Sequence, residues 1–341
     1  MGEIKTYKYN NRFTLETGVV LPEVEIAYST YGTMNAKRSN IIWVCHALTA
    51  NSCVDDWWEK AVKKDNFLDP ERYFVVCANV LGSHYGTTGP LSVNPITNEE
   101  YYKSFPSFTM RDVVNCHILL AEHLGITSVD MLVGGSIGGF QILEWLIAQP
   151  TFAKKAVIIA TTAKTEPWAI AFNESQRMAI ECDPTFYMKS TDGGAKGLEC
   201  ARSIAMLSYR CNDGYNITQK ESEYESAKLK DYKASSYQRY QGEKLAARFN
   251  AFSYYRLTQA VDSHDVGRGR RGVENALALI KAKCAIVAIS SDILYPVESH
   301  VVMHKYIKNS SLYIINSRFG HDGFLIEHDQ LEAIIKELQE R

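Results

Sequence analysis

The fold of this chain is decided by the stretch Val129-Asp130-Met131-Leu132-Val133-Gly134-Gly135-Ser136-Ile137-Gly138-Gly139-Phe140-Gln141-Ile142-Leu143-Glu144-Trp145. It consists of a short apolar segment typical of a strand, a glycine-dense turn with Ser136 at its apex, and a segment with the apolar spacing of a helix. Residues 134–138 fit the pattern G-x-S-x-G, in which a serine on a strained strand-to-helix turn exposes its hydroxyl. The stretch therefore predicts a nucleophilic serine, with a plain glycine-rich connection as the alternative.

The composition excludes several classes of function. The chain has 341 residues, of which 46% are hydrophobic and 22% charged, as in ordinary globular proteins. Its formal net charge of −2 gives no field that would attract nucleic acid or an anionic membrane. The first residues lack the apolar region of a secretory signal, and no apolar run approaches the roughly 18 residues that span a bilayer. We therefore expect neither nucleic-acid nor membrane binding.

The cysteines and histidines give two further expectations. Eight cysteines are scattered without a C-x-x-C pair, a usage typical of reduced cysteines in a cytoplasmic protein. The spacing of the nine histidines does not indicate a metal-binding cluster, so no metal site is expected.

Apolar segments alternate with helical segments over most of the chain. Residues 1–33 have the alternating polarity of an antiparallel hairpin. Buried strands are predicted at 41–45, 73–79, 129–133, 156–160, 284–289 and 312–315. Strands that are apolar on both faces and separated by helices predict an α/β fold, with a mostly parallel sheet and helices on both faces.

The alternation is interrupted between residues 165 and 275, where the spacing predicts only helices. These helical segments are expected at 168–182, 195–209, 221–230 and 237–260. The chain is therefore predicted to have three parts. Residues 1–164 form the first part of the core, 165–275 an all-helical lid, and 276–341 the second part of the core.

Two polar residues follow late strands in the order that an elbow serine requires. An activated serine needs a base to accept its proton and an acid to orient that base. Asp292 directly follows the strand at 284–289, and His321 follows the strand at 312–315. In α/β-hydrolases the chain order is serine, then acid, then histidine. Ser136, Asp292 and His321 are therefore predicted to form a catalytic triad.

An oxyanion hole is expected beside this triad. One backbone N–H should come from the residue after the nucleophile, Ile137, and a second from the loop after an early strand, for which Leu48 is the candidate. His46 ends that early strand and is expected to be structural rather than a base.

With these residues in hand, the chain resembles the homoserine O-acetyltransferase family, whose members are acyltransferases with the α/β-hydrolase fold. The resemblance extends over nearly the whole length. Its matching segments are 46–49, 85–90, 134–139, 143–145, 171–174, 176–177, 208–210, 240–244, 262–268, 291–296 and 320–327.

The resemblance implies a ping-pong reaction of methionine biosynthesis. Ser136 would take an acetyl group from acetyl-CoA and pass it to the hydroxyl of L-homoserine, with no tightly bound cofactor. Arg210 would pair with the homoserine carboxylate and Asp322 with its ammonium group. The lid would cover Ser136 and form a homodimer interface. Succinyl-CoA as donor, serine as acceptor, and simple ester hydrolysis on the same triad are the alternatives that the sequence leaves open.

Overall fold

The computed structural model describes residues 3–58, 60–222 and 230–340, and its central feature is an eight-stranded sheet. The strands in chain order are β1 (Ile4–Tyr9), β2 (Val24–Tyr31), β3 (Ile41–Cys45), β4 (Phe74–Ala78), β5 (Val129–Gly135), β6 (Ala153–Ile159), β7 (Lys283–Ile289) and β8 (Ser310–Ile315). Their order across the sheet is β1-β2-β4-β3-β5-β6-β7-β8. Two short hairpins pair Phe13–Thr14 with Val20–Leu21 and Val93–Asn94 with Glu99–Glu100.

The pairing of the strands confirms a mostly parallel sheet. β1 pairs antiparallel with β2, and β2 antiparallel with β4, as the hairpin pattern of the first residues predicts. All pairs from β4 through β3, β5, β6 and β7 to β8 are parallel. Because parallel strands end at the same edge, the loops after β3, β5, β7 and β8 converge there.

Helices cover both faces of this sheet, as predicted. The longer helices are α1 (Met110–His123), α2 (Ile137–Ala148), α3 (Pro167–Glu181), α4 (Ala195–Tyr209), α5 (Asn212–Thr218), α6 (Lys233–Ala246), α7 (Ala251–Asp262), α8 (Val297–Tyr306) and α9 (His328–Glu340). Trp43 of β3 packs into the apolar core on the α2 side, and its neighbour Val44 into the core on the α9 side. No helix in the described part of the chain is long and apolar enough to cross a membrane.

Between β6 and β7 the described residues form helices and one isolated bridge, Lys164 with Asp265. The predicted single helix at 237–260 is wrong, because the chain breaks into α6 and α7. Asn250 caps α7 by accepting the backbone N–H of Ser253 at 2.7 Å, and this cap starts a new helix. The sequence prediction missed α5, and most of the helix expected at 221–230 lies outside the described residues. The boundaries at 165 and 275 stay predictions.

The loop from Gly82 to Pro90 lies against the edge of β2. The hydroxyl of Thr87 accepts the backbone N–H of Ala27 at 3.0 Å, and that of Thr88 accepts the N–H of Glu25 at 2.8 Å. These bonds satisfy backbone donors that the neighbouring strand does not reach. The loop is thereby fixed to the core, and it carries Tyr85 to the site described next.

Candidate active site

Ser136 occupies the sharp turn between β5 and α2. Its φ of 58° and ψ of −124° lie in a region that side chains other than glycine rarely adopt. The turn is held by its backbone: the N–H of Ser136 donates to Ile159, and its carbonyl accepts from the hydroxyl of Thr161 at 2.8 Å and the N–H of Gly139 at 2.9 Å. The surrounding structure thus imposes the strained geometry that the G-x-S-x-G pattern predicts.

The glycines of the elbow are required by close contact rather than by their own φ angles. A Cβ on Gly134 would lie 2.6 Å from the carbonyl oxygen of Cys45, and one on Gly138 would meet the same oxygen. The positive φ falls on Ser136 itself. The end of β3 therefore packs directly against the elbow, which brings the loop after β3 close to Ser136.

Asp292 and His321 form a hydrogen-bonded pair at the same edge of the sheet. Nδ1 of His321 lies 2.7 Å from Oδ2 of Asp292. The other carboxylate oxygen, Oδ1, accepts the backbone N–H groups of Leu294 at 2.8 Å and Tyr295 at 3.0 Å. This carboxylate is therefore fixed on both oxygens. Nδ1 of His321 is held as the donor, which leaves Nε2 free to accept a proton.

The charge environment of His321 shifts its pKa upward. Burial acts to lower the pKa, but the attraction and hydrogen bond of Asp292, with a smaller contribution from Asp322, raise it above the ordinary 6.5. Two carboxylates near a buried imidazole stabilise its protonated form. His321 therefore combines a fixed orientation with increased basicity.

A cavity of about 560 Å³ lies between the core and the helical segment. Ser136 and His321 both line this cavity. Both residues are almost fully buried, with exposed fractions of 8% and 3%. The remaining lining residues are Ala47, Leu48, Thr49, Ala50, Asn51, Asp56, Trp57, Tyr85, Arg202, Tyr209, Lys244, Arg248, Asp322, Phe324 and Leu325. The elbow, the loop after β3 and three cationic side chains of the helical segment (Arg202, Lys244 and Arg248) thus line one cavity.

The two residues expected to form the oxyanion hole flank this cavity. Leu48 lines it, and Ile137 is the first residue of α2, directly after Ser136. Among the described residues, no hydrogen bond uses the backbone N–H of either one. Neither donor is therefore engaged within the described part of the chain, and the oxyanion role stays a prediction.

His46 has a structural role, as expected. Burial lowers its pKa to about 4, so the ring is neutral near pH 7. Nε2 accepts the backbone N–H of Val80 at 3.1 Å, and Nδ1 lies 2.8 Å from the carbonyl oxygen of Ala47. Both ring nitrogens are occupied, so His46 ties β3 to the loop after β4.

Arg210 and Asp322 lie side by side. Two residues that are predicted to bind the carboxylate and the ammonium group of one small substrate must lie this close together. Nη1 of Arg210 is 2.7 Å from Oδ2 of Asp322, and Nη2 donates to the hydroxyl of Tyr237 at 3.2 Å. Gly320 makes this approach possible: its φ is 63°, and a Cβ would lie 2.7 Å from the Arg210 backbone. Asp322 lines the cavity, whereas Arg210 reaches it through this ion pair. The substrate-binding roles stay predictions.

Several lining residues were not singled out from the sequence. Arg202, Lys244 and Arg248 contribute positive charge, and Tyr85 is linked to Arg248 by a hydrogen bond of 2.7 Å. Tyr85 and Lys244 do lie in segments that carry the family resemblance. The sequence offered no signal that these cations share a cavity, because that depends on how α4 and α6 fold over the core.

No group of three or more metal-ligating side chains occurs within residues 3–58, 60–222 and 230–340. His300 and His304 are one turn apart on α8, a spacing that the sequence analysis passed over. Nε2 of His300 accepts the backbone N–H of Thr161 at 3.0 Å, and Nδ1 of His304 lies 2.9 Å from the hydroxyl of Ser310. The ring of His300 thus supports the backbone next to the elbow, and the ring of His304 contacts the start of β8.

Comparison with known proteins agrees with this geometry. Residues 40–327 match the family model described as the alpha/beta hydrolase fold. The chain is 46% identical over 323 residues to a homoserine O-acetyltransferase of Cyclobacterium marinum, covering 95% of this chain and 91% of the relative. The chain belongs to the homoserine O-acetyltransferase family. Its α/β-hydrolase fold, predicted from the sequence, is thereby confirmed.

Solved structures show the same fold. The crystal structure of homoserine O-acetyltransferase from Bacillus anthracis is 26% identical, with a TM-score of 0.89 over 100% of this chain and 99% of that one. An acetylester hydrolase from Corynebacterium glutamicum is 25% identical, with a TM-score of 0.88 over 99% and 96% of the two chains. Proteins that resemble this member of the homoserine O-acetyltransferase family in shape thus include both a transferase and a hydrolase.

Proposed function

We propose that this protein transfers an acetyl group from acetyl-CoA to the hydroxyl of L-homoserine, through an acyl intermediate on Ser136. The observation that carries the proposal is the Arg210–Asp322 ion pair beside the cavity that holds Ser136 and His321. An ester hydrolase needs no such pair, whereas an amino-acid acceptor presents a carboxylate and an ammonium group. The relatives named homoserine O-acetyltransferase support this choice. They also favour acetyl-CoA over succinyl-CoA as donor.

The first half-reaction forms the acyl-enzyme. Nε2 of His321 accepts the hydroxyl proton of Ser136 while the serine oxygen attacks the thioester carbonyl carbon. The N–H groups of Leu48 and Ile137 bind the resulting oxyanion. The carbon–sulfur bond then breaks, and His321 returns its proton to the departing thiolate. CoA leaves as the free thiol, and the acetyl group stays on Ser136 as an ester.

The second half-reaction runs the same proton path with another nucleophile. Nε2 of His321 accepts the proton of the homoserine hydroxyl, whose oxygen attacks the acyl carbon. The bond to the serine oxygen breaks, and His321 reprotonates Ser136. The helices over the cavity limit access of bulk water, which would otherwise hydrolyse the intermediate.

The Arg210–Asp322 pair is proposed to bind the backbone of the acceptor. Its carboxylate matches the planar fork of Arg210, and its ammonium group matches Asp322 next to His321 in the chain. In this structure the two charges neutralise each other, and homoserine would exchange that contact for two complementary ones. The acceptor hydroxyl would then lie near Nε2 of His321.

The proposal is tested by pairing two donors, acetyl-CoA and succinyl-CoA, with two acceptors, homoserine and serine. Thiol release is followed with a chromogenic reagent. The expected result is rapid release with acetyl-CoA that depends on homoserine. Equal release without any acceptor contradicts acyl transfer, and a preference for succinyl-CoA or serine contradicts the assigned substrates.

Ester hydrolysis is a second candidate, because an acetylester hydrolase shares the fold with a TM-score of 0.88. Fold likeness carries limited weight for function, since different chemistries use the same scaffold. Turnover of a simple acetyl ester, with and without homoserine, separates the two. A transferase converts the ester to O-acetylhomoserine, whereas a hydrolase yields free acetate regardless of homoserine.

The pH dependence of kcat/KM is expected to report His321. His321 can act as a base only when its ring is neutral. The value of kcat/KM should therefore fall as the pH drops through the pKa of His321 and reach its maximum above that pKa. Because Asp292 raises this pKa above 6.5, the acid limb should lie above that pH. A pH profile in buffers of constant ionic strength measures it. A profile without an acid limb contradicts the role of His321 as the base, and a limb below pH 6.5 contradicts the upward shift of its pKa.

Arg210→Lys is expected to raise KM for homoserine about tenfold to hundredfold, because lysine keeps the charge but loses the bidentate fork. The rate at which acetyl-CoA acylates Ser136 should change little, since homoserine takes no part in that step. Rapid-quench mass spectrometry measures the acylation, and steady-state assays give KM. A lower rate of acylation with an unchanged KM for homoserine would contradict the proposed role of Arg210 in binding the acceptor. Arg239→Lys, on the exposed side of α6, is the matched control.

The assembly and location of the protein follow as further proposals. Large apolar side chains are exposed on the helical segment, including Trp168, Met178, Leu207 and Ile217. Exposed apolar groups on one segment are typical of an association surface, so we propose a homodimer through the lid. Light scattering after size exclusion gives the mass. A cytoplasmic location stays a prediction from the cysteine usage of the sequence.

A further inference from the structure

Lys244 and Arg248 are two exposed cations that line the cavity at the break between α6 and α7. Arg248 is anchored by neutral groups: its Nη1 donates to the carbonyl oxygen of Thr49 at 2.6 Å and to the hydroxyl of Tyr85 at 2.7 Å. Nζ of Lys244 lies 5.8 Å from the centre of the Tyr240 ring. In the part of the chain that the structure describes, neither cation has a carboxylate partner.

Other cations of the helical segment do have such partners. Lys189 pairs with Glu99, and Lys196 pairs with Glu199 at 2.8 Å. Together with Arg202, these two cations outnumber the carboxylates of Asp56 and Asp322 in the cavity lining, so the lining carries an excess of positive charge that attracts an anionic ligand. The hydrogen bonds of Arg248 to the loops after β3 and β4 hold that charge in place.

We infer that Lys244 and Arg248 bind the phosphate groups of the acyl donor at the mouth of the cavity. This inference rests on the proposed function, because it takes the donor to be a CoA thioester. CoA carries its reacting thioester at one end of a long neutral pantetheine arm and its phosphates at the other. The thioester must reach Ser136 inside the cavity, so its phosphates require cations nearer the solvent.

The spacing of the two residues in the chain places them on the same wall. Lys244 lies in the last turn of α6, and Arg248 follows the end of that helix, before Asn250 caps α7. They are four residues apart, the spacing at which side chains of a helix lie on one face. The guanidinium fork of Arg248 suits phosphate oxygens, and Lys244 adds a second charge.

Arg202 is a third cation in the cavity lining, but it lies near His321 rather than near Lys244 and Arg248 in the proposed division of the site. Its Cζ lies 5.3 Å from the centre of the Tyr209 ring, and that ring lies 5.7 Å from the ring of His321. Changing Arg202 would therefore disturb the chemistry as well as binding. The experiment leaves it unchanged.

The test compares two donors, acetyl-CoA and the acetyl thioester of pantetheine, which lacks the phosphates. For the double variant Lys244→Ala/Arg248→Ala we expect KM for acetyl-CoA to rise about tenfold, since exposed charge contacts are individually modest. The KM for acetyl-pantetheine should rise clearly less than the KM for acetyl-CoA, because acetyl-pantetheine lacks the phosphates that the two cations bind. The wild-type preference for acetyl-CoA should also weaken with added salt.

Arg239→Ala, an exposed cation on α6 outside the cavity lining, is the matched control and should leave both KM values unchanged. Lys244→Glu alone preserves the contacts of Arg248 and should raise KM for acetyl-CoA at least as much as Lys244→Ala. An equal rise for both donors, or no rise for acetyl-CoA, would overturn the inference. Wild-type enzyme that shows no homoserine-dependent thiol release would instead overturn the proposed function.

Discussion

Replacing Ser136 with alanine is expected to lower kcat for acyl transfer by about 10³-fold or more, the loss typical of a removed nucleophile. The substitution deletes only the hydroxyl, while the turn itself is held by backbone bonds to Ile159 and Thr161. The folded structure should therefore persist. Intact-protein mass spectrometry after mixing with acetyl-CoA should show an added acetyl group on the wild type and none on the variant.

Ser175→Ala is a matched control, because that hydroxyl lies on the exposed surface of α3 and donates only to the carbonyl oxygen of Ala171. Its activity should equal that of the wild type. An acetyl adduct that still forms on the Ser136 variant would show that another residue is the nucleophile. Equal thermal unfolding temperatures of both variants would exclude loss of fold as the cause.

Asp292→Asn is expected to reduce kcat about 10⁴-fold, as in triads whose acid is replaced by its amide. The asparagine carbonyl oxygen can keep the bonds from Leu294 and Tyr295, so its NH₂ group would face His321. Nδ1 would then have to accept a hydrogen bond. The proton would move to Nε2, where it prevents the ring from accepting the proton of Ser136.

The pH profile distinguishes this effect from a general disturbance. Loss of the Asp292 charge removes the main contribution that raises the pKa of His321, so the acid limb of the remaining activity should move to lower pH. Asp130→Asn, which removes a surface ion pair with Lys154, is the control. A variant whose acid limb stays in place would contradict the assigned pairing.

Much of the fold was accessible from the sequence because the buried strands are apolar on both faces. The strands around Val44, Leu132 and Ile286 were predicted to within a few residues, and their parallel order followed from the helices between them. The elbow was equally clear, since Gly134 and Gly138 lie where any Cβ would meet the end of β3. The pairing of His321 with Asp292 followed from their places after late strands.

The helical segment was less predictable, because helical spacing does not show where one helix ends and the next begins. The break before α7 depends on a single capping bond from Asn250, and polar residues of this type also occur inside predicted helices. The sharing of one cavity by Lys244 and Arg248 depends on how α6 lies over the loops after β3 and β4. Their contribution to the site could therefore be found only from the folded chain.

Gly320 determines how the specificity of this enzyme can be changed. Its backbone contacts that of Arg210 so closely that no side chain fits between the helical segment and the loop of His321. A side chain at position 320 would therefore push the backbone of Arg210 away from the loop that carries His321, and so separate the two parts of the proposed acceptor site. An altered acceptor preference, whether evolved or engineered, should arise from exchanging the side chains at positions 210 and 322 on an unchanged backbone, rather than from shifting the lid.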